Sequence, residues 1–181
     1  WPSVDRLGWV WTAPSKEAGA AWTVLSADGQ TASLASPFTD SSTPEALRVS
    51  PDGSRVVIVR RIGDELGVWV APVRRDSAGV PEAVGTAVAV PGLDEGVLDV
   101  SWAGSSTIVA LRHTQSGTEL VVVPLGGWPT TLSAPSASRH VTAGATSANV
   151  QVQTSDGSVL SRSGSVWQPV TAEIQEIEFP G

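Results

Sequence analysis

Short apolar runs closed by turn-forming pairs recur along the whole chain. "RVVIVRR" (Arg55 to Arg61), "LGVWVAPV" (Leu66 to Val73), "TIVALRH" (Thr107 to His113), "TELVVVPL" (Thr118 to Leu125) and "NVQVQTS" (Asn149 to Ser155) either alternate or run as unbroken Val and Ile. Each is bounded by Gly, Pro, Asp or Ser, which is the pattern of strands. Asp28-Gly29, Asp52-Gly53, Ser116-Gly117, Gly126-Gly127, Asp156-Gly157 and Ser163-Gly164 fall between runs. Such pairs supply the positive-φ positions of tight hairpins. Lys occurs once and Met not at all, and Leu and Glu, further good helix formers, are outnumbered by Val and Thr. "SKEAG" (Ser15 to Gly19) is too short for a helix and reads as a polar loop. The pattern predicts an all-β chain.

A frame repeats within it. "RVSPDGSRVVIV" from Arg48 aligns with "DVSWAGSSTIVAL" from Asp99, and more weakly with "HVTAGATSANVQV" from His140. "PSVDRLGWVWT" (Pro2 to Thr12) can be laid over the same frame. Ser3, Ser50, Ser101 and Thr142 then share one position, spaced by roughly 40 to 50 residues, the interval of a four-stranded propeller blade. "GVWVAPV", "TELVVVP" and "SVLSRS" fill a third-strand slot. "TASLA" (Thr31 to Ala35), "TAVAVP" (Thr86 to Pro91), "TTLSA" (Thr130 to Ala134) and "VWQPV" (Val166 to Val170) fill a fourth. A lone four-stranded sheet cannot bury either apolar face, whereas stacked blades bury both. Unbroken runs such as "VVIV" and "LVVV" then belong to strands covered on two sides.

The expected fold is a β-propeller of about four blades, whole or partial, in a single domain or fragment spanning 1–181. The blades fall near 1–40, 41–92, 93–136 and 137–172, and 173–181 is a closing or exiting strand. The first blade is expected to lack most of its first strand. Trp9, Trp11, Trp22, Trp69 and Trp102 are expected in layers between blades. A β-sandwich is the competing fold, though it does not require the frame to recur.

Composition removes several functions. Eighteen acids against eleven bases leave a net charge of −7, without the basic patch of a nucleic-acid binder. There is no Cys, so disulfides and thiolate metal sites are excluded. No apolar stretch approaches the roughly 20 residues of a membrane helix, so this segment is not expected to insert directly into a membrane. With Trp at position 1 and no signal peptide, a fragment or processed form is expected.

Candidate chemistry is thin. Asp52 lies in Ser50-Pro51-Asp52-Gly53, where Pro sets φ, Asp caps amides and Gly takes the left-handed conformation. The tetrapeptide reads as a structural turn, and Asp28 and Asp156 as similar turn formers. Asp94, Glu95 and Asp99 in "LDEGVLD" lack the alternating ligand spacing of a calcium loop and read as solvated. His113 and His140, the only histidines, have neither zinc-ligand spacing nor a G-x-S-x-G elbow to accompany them, and read as strand-end surface residues. "RRIGDE" (Arg60 to Glu65) and "VRRD" (Val73 to Asp76) read as solvated loop charges. Trp128, in the turn "GGWPTT", is the candidate for an exposed anchor toward a protein or a sugar. No catalytic, cofactor-binding or metal residue is assigned.

The SPDG turn followed by "RVVIV" and "GVWVAPV" resembles the repeat of TolB-type propellers. "PSVDRLGWVWT", "LRVSPDGSRVVIV" (Leu47 to Val59) and the terminal "FPG" (Phe179 to Gly181) together resemble the propeller domain of the actinobacterial LpqB lipoprotein family, over nearly the whole chain. The resemblance implies a protein lipid-anchored outside the plasma membrane through an upstream segment, with a germination-protein-like domain before the propeller. It also implies a partner: the extracytoplasmic domain of the sensor histidine kinase in an MtrA–MtrB-type two-component system. The expected function is therefore a non-enzymatic interaction module accessory to envelope signalling. A propeller binding cell-wall glycan or peptide is the alternative. Neither a lipobox Cys nor the upstream domain lies within the chain, so anchoring rests on the resemblance alone.

Overall fold

The protein is described by a computed structural model covering residues 2–12, 20–38, 40 and 44–171. "SKEAG" and the segment 173–181, including "FPG", lie outside the described residues. All regular structure among the described residues is strand, and no helix there is long and apolar enough to cross a membrane.

The strands form four antiparallel sheets among the described residues, each made from consecutive stretches of chain. The first holds β1 (Ser3–Val4), β2 (Trp9–Trp11), β3 (Trp22–Ser26) and β4 (Thr31–Leu34), side by side in chain order. β1 is only two residues long, as the truncated first strand of the sequence frame requires. The second holds β5 (Pro44–Val49), β6 (Arg55–Ile62), β7 (Glu65–Arg75) and β8 (Pro81–Val84). β9 (Val88–Ala89) shares its outer slot with β8, because the long β7 pairs β9 at Trp69 and Val70 and β8 from Val73 to Arg75. The third holds β10 (Val97–Ala103), β11 (Thr107–Thr114), β12 (Gly117–Pro124) and β13 (Thr130–Ser133). The fourth holds β14 (Ser138–Ala143), β15 (Val150–Thr154), β16 (Val159–Ser163) and β17 (Val166–Thr171).

A sandwich would hydrogen-bond strands distant in sequence into two large sheets. Four separate meanders of neighbouring strands are propeller blades, and the fold is an all-β propeller. The chain forms two compact units, one ending at Val90 and the other starting at Pro91.

In the first unit the facing surfaces of the first two blades form one core. Trp9, Trp11, Trp22, Val24 and Leu34 meet Leu47, Val49, Val56, Ile58 and Ala71. Trp11 and Trp22 are fully buried. At about 200 Å² the Trp11 indole contributes about 5 kcal/mol of hydrophobic stabilisation, and Trp22 contributes less because its Nε1–H is buried without a hydrogen-bond partner. Val57 and Val59, on the opposite face of β6, are also buried, which is why the run carries no polar alternation. In the second unit Ala103, Val109, Leu111, Leu120 and Val122 of the third blade pack on Val141, Val150 and Val152 of the fourth.

The stretches "RRIGDE" and "VRRD" lie largely in strands rather than in loops. Arg60, Arg61, Glu65, Arg74 and Arg75 are strand residues, in β6 and β7, and the Arg60 and Arg75 side chains are only 11% exposed. The Arg60 guanidinium lies 4.2 Å from the Phe38 ring centroid and 4.3 Å from that of Trp69, and pairs with Asp40 at 2.9 Å. The aliphatic stem is buried and the weakly hydrated head lies on aromatic faces, an arrangement open to Arg and costly for most charges. Arg61, Asp64 and Glu65 are exposed, as are Arg74 and Asp76.

Candidate functional site

Ser50-Pro51-Asp52-Gly53 forms the turn from β5 to β6. The Ser50 N–H donates to the Arg55 carbonyl and the Gly53 N–H to the Ser50 carbonyl, both at 2.8 Å. Gly53 has φ = 70°, in the left-handed region. The Ser50 hydroxyl donates to Asp52 Oδ1 at 2.6 Å, and Ser54 adds its N–H at 3.0 Å. Asp52 therefore uses its carboxylate to close its own turn. The same arrangement recurs where Thr154 and the Ser158 N–H bind Asp156 Oδ1, and where the Ser26 hydroxyl binds Asp28.

These bonds favour the ionised carboxylates. Asp52 is partly desolvated, which opposes ionisation, but donors from Ser50 and Ser54 and the charge of Arg55 outweigh this and hold its pKa below the ordinary 3.8. Hydrogen bonds from Ser26 and Thr154 lower Asp28 and Asp156 likewise. A carboxylate with a depressed folded-state pKa contributes stability above its unfolded value and loses it as pH falls through the folded value. The denaturant midpoint is expected to fall as pH drops below about 4. The triple variant Asp28→Asn, Asp52→Asn, Asp156→Asn is expected to show a smaller fall, and an equal fall would refute the assignment.

Next to the SPDG turn lies a buried ion pair that sequence reasoning missed. Asp5 follows β1 and its side chain is 0% exposed; Arg75 ends β7 and is 11% exposed. Asp5 Oδ1 accepts the N–H groups of Leu7 at 2.9 Å and Trp9 at 3.0 Å. Asp5 Oδ2 accepts Trp11 Nε1–H at 3.2 Å and the Arg75 guanidinium. Arg75 also donates to the carbonyls of Gly53 at 2.9 Å and Gly79 at 2.8 Å. The Arg6 N–H reaches the Pro51 carbonyl at 2.9 Å. The Asp5–Arg75 pair thus ties together three turns of the first two blades. A signal was available: Asp5-x-x-Gly8 and Asp76-x-x-Gly79 share a spacing, and Asp76 Oδ1 likewise accepts the N–H groups two and four residues ahead.

The repeat frame joins two roles. Val49 N–H donates to Ser3 Oγ at 2.9 Å and Ala143 N–H to Ser101 Oγ at 3.3 Å. In each case a hydroxyl on a blade's first strand satisfies an outward amide on the first strand of the next, blunting an open edge. Ser50 lies past the end of β5 and binds only within its own turn. Asp99 is likewise a strand residue, not a loop acid, and accepts Val141 N–H at 3.0 Å. His140 lies inside β14, with Nδ1 at 3.4 Å from Asp99 Oδ2, while Asp94, Glu95 and His113 are exposed.

Trp128 is 89% exposed in the turn from β12 to β13, the most exposed large hydrophobic among the described residues. A groove of about 380 Å³ lies elsewhere, in the first unit, between the turns at Leu7, Asp28 and Val80. No group of three or more His, Asp or Glu among the described residues is placed to hold a metal ion.

Among solved structures, similar folds occur in "Crystal structure of Nidogen/Laminin Complex" (TM-score 0.60, 12% identity, 94% of this chain and 61% of that one). They occur also in "Crystal Structure of Mitotic Checkpoint Complex" (TM-score 0.60, 16% identity, 94% and 48%). A third is "Kuenenia stuttgartiensis Hydrazine Synthase" (TM-score 0.56, 11% identity, 89% and 53%). The chain spans about half to three fifths of those chains, and at these identities the likeness concerns fold alone. No curated protein matches the sequence. The family model described as "Lipoprotein LpqB beta-propeller domain" matches residues 1–178, and with the blades described above this chain belongs to that family.

Proposed function

We propose that this propeller is a non-catalytic binding module of a cell-envelope lipoprotein, anchored outside the plasma membrane through an upstream segment. It acts as an accessory to a two-component sensor kinase of the MtrA–MtrB type by binding that sensor's extracytoplasmic domain. The family match over residues 1–178 carries the reading. The carboxylates of the SPDG-type turns and of Asp5 are engaged in holding the fold, which supports a scaffold rather than a catalyst. Trp128 supplies the contact: an indole has only two side-chain torsions to fix on docking, and tryptophan is enriched among residues that dominate binding energy.

Calorimetric titration of the propeller with the sensor's extracytoplasmic domain tests this. Binding is expected, and Trp128→Ala is expected to weaken it by about 2 kcal/mol or more, roughly thirtyfold. Absence of heat at high micromolar concentration would overturn the reading. A change in tryptophan fluorescence with a cell-wall glycan fragment, without binding of the sensor domain, would favour the ligand-binding alternative.

A further inference from the structure

In the second unit, four turns are joined by topology to one end of the two blades. They are 104–106 between β10 and β11, 125–129 between β12 and β13, 144–149 between β14 and β15, and 164–165 between β16 and β17. Two backbone hydrogen bonds link three of them: Gly104 N–H to the Gly144 carbonyl at 3.0 Å and Leu125 N–H to the Ser106 carbonyl at 2.8 Å. Their sequences are "GSS", "LGGWP", "GATSAN" and "GS", with no acid and no base in any of them. Trp128 stands on this end, and Val166, immediately after the fourth turn, is 55% exposed.

This neutrality is not general in a chain of net charge −7. At the other end of the same blades the turns 115–116 and 134–137 are also uncharged, but 155–158 carries Asp156 and the loop before β10 carries the exposed acids Asp94 and Glu95. The corresponding first-to-second and third-to-fourth strand turns of the first unit carry Asp5, Arg6, Asp28, Asp52 and Asp76. A surface that docks a charged partner would keep complementary charge for steering and register. One that docks by desolvation keeps charge out of its centre and presents an aromatic anchor. Trp128, at 89% exposure, has no walls around it to hold a small ligand, which favours a flat protein surface over a sugar.

We infer that these four turns form the docking face, and that the partner's matching patch is an uncharged protein surface with a recess for the Trp128 indole. The inference rests on the proposed protein partner. Association across such a face is governed by buried apolar area and is nearly independent of salt.

The full propeller is titrated with the sensor's extracytoplasmic domain at about 50 mM and about 500 mM salt, with Thr146→Glu, Ser165→Arg and the opposite-end control Gln115→Glu at the lower salt. Residues 115, 146 and 165 are all exposed, and unchanged near-ultraviolet circular dichroism verifies folding of each variant. Kd is expected to change less than about fivefold with salt, and both docking-face variants are expected to bind about tenfold or more weaker despite opposite charge. Gln115→Glu is expected to bind as the unmodified chain does. Binding that falls about fivefold or more with salt, a docking-face variant that binds with less than about tenfold loss, or a control that loses affinity would overturn the docking face while leaving the partner intact. Failure of the unmodified propeller to bind at either salt would overturn the partner itself.

Discussion

Asp5→Ala is expected to lower unfolding free energy by about 3–5 kcal/mol, the cost of removing one member of a buried ion pair. The Asp5 side chain is 0% exposed and Arg75 is left without its carboxylate in a site that admits little water. The N–H groups of Leu7 and Trp9 and the Trp11 indole lose their acceptor in the same step. Against a typical total of about 5–15 kcal/mol this is a large fraction. At about 2–4 °C per kcal/mol for a chain of this size, Tm is expected to drop by about 10 °C. Urea denaturation of Asp5→Ala, Arg75→Ala and the double variant measures it. The double variant is expected to lose less than the sum of the single losses, because the second change removes the charge that the first left unpaired. Additive losses would show that the two groups do not depend on each other.

Gly53→Ala is expected to cost about 2–4 kcal/mol, far more than a surface turn substitution. At φ = 70° any L-residue with a Cβ is strained, by about 1–2 kcal/mol. A Cβ at this position would also lie 2.6 Å from an Arg75 guanidinium nitrogen and 3.0 Å from Asp5 Oδ2, so the ion pair must shift to make room. Gly29→Ala serves as the comparison. Gly29 has φ = 85° and open space around its Cα, so only the backbone strain is expected there. Equal losses at the two glycines, measured by the same denaturation, would show that close approach to Arg75 contributes nothing.

The strands, their turns and the four-stranded repeat were legible because they rest on local chemistry. An unbroken apolar run such as Val56–Val59 reports a strand covered on both faces. Ser-Pro-Asp-Gly reports a turn because the hydrogen bonds that close it lie within a few residues. Exposure of Trp128 was legible for the same reason, since its setting between Gly127 and Pro129 leaves it no partner strand. The outer slot of the second blade was harder. The pattern marks "TAVAVP" but not β8, because the sequence does not show that an 11-residue β7 has room for two short partners.

Tertiary structure alone decided which charges on the strands are buried. Arg75 and Arg74 are adjacent in sequence and chemically identical, yet one is buried against Asp5, 70 residues away, and the other is exposed. Strand alternation sends neighbours to opposite faces, and which face is covered depends on the next blade. Ser3, Ser50 and Ser101 share a frame position but divide into two roles for the same reason. A hydroxyl within its own turn is specified locally, whereas one that satisfies an amide 46 or 42 residues away is specified only when two blades meet. The sequence by itself determined the blades and their turns, because local propensity and periodicity suffice for them. Which polar groups are buried arose from packing that brings distant segments together.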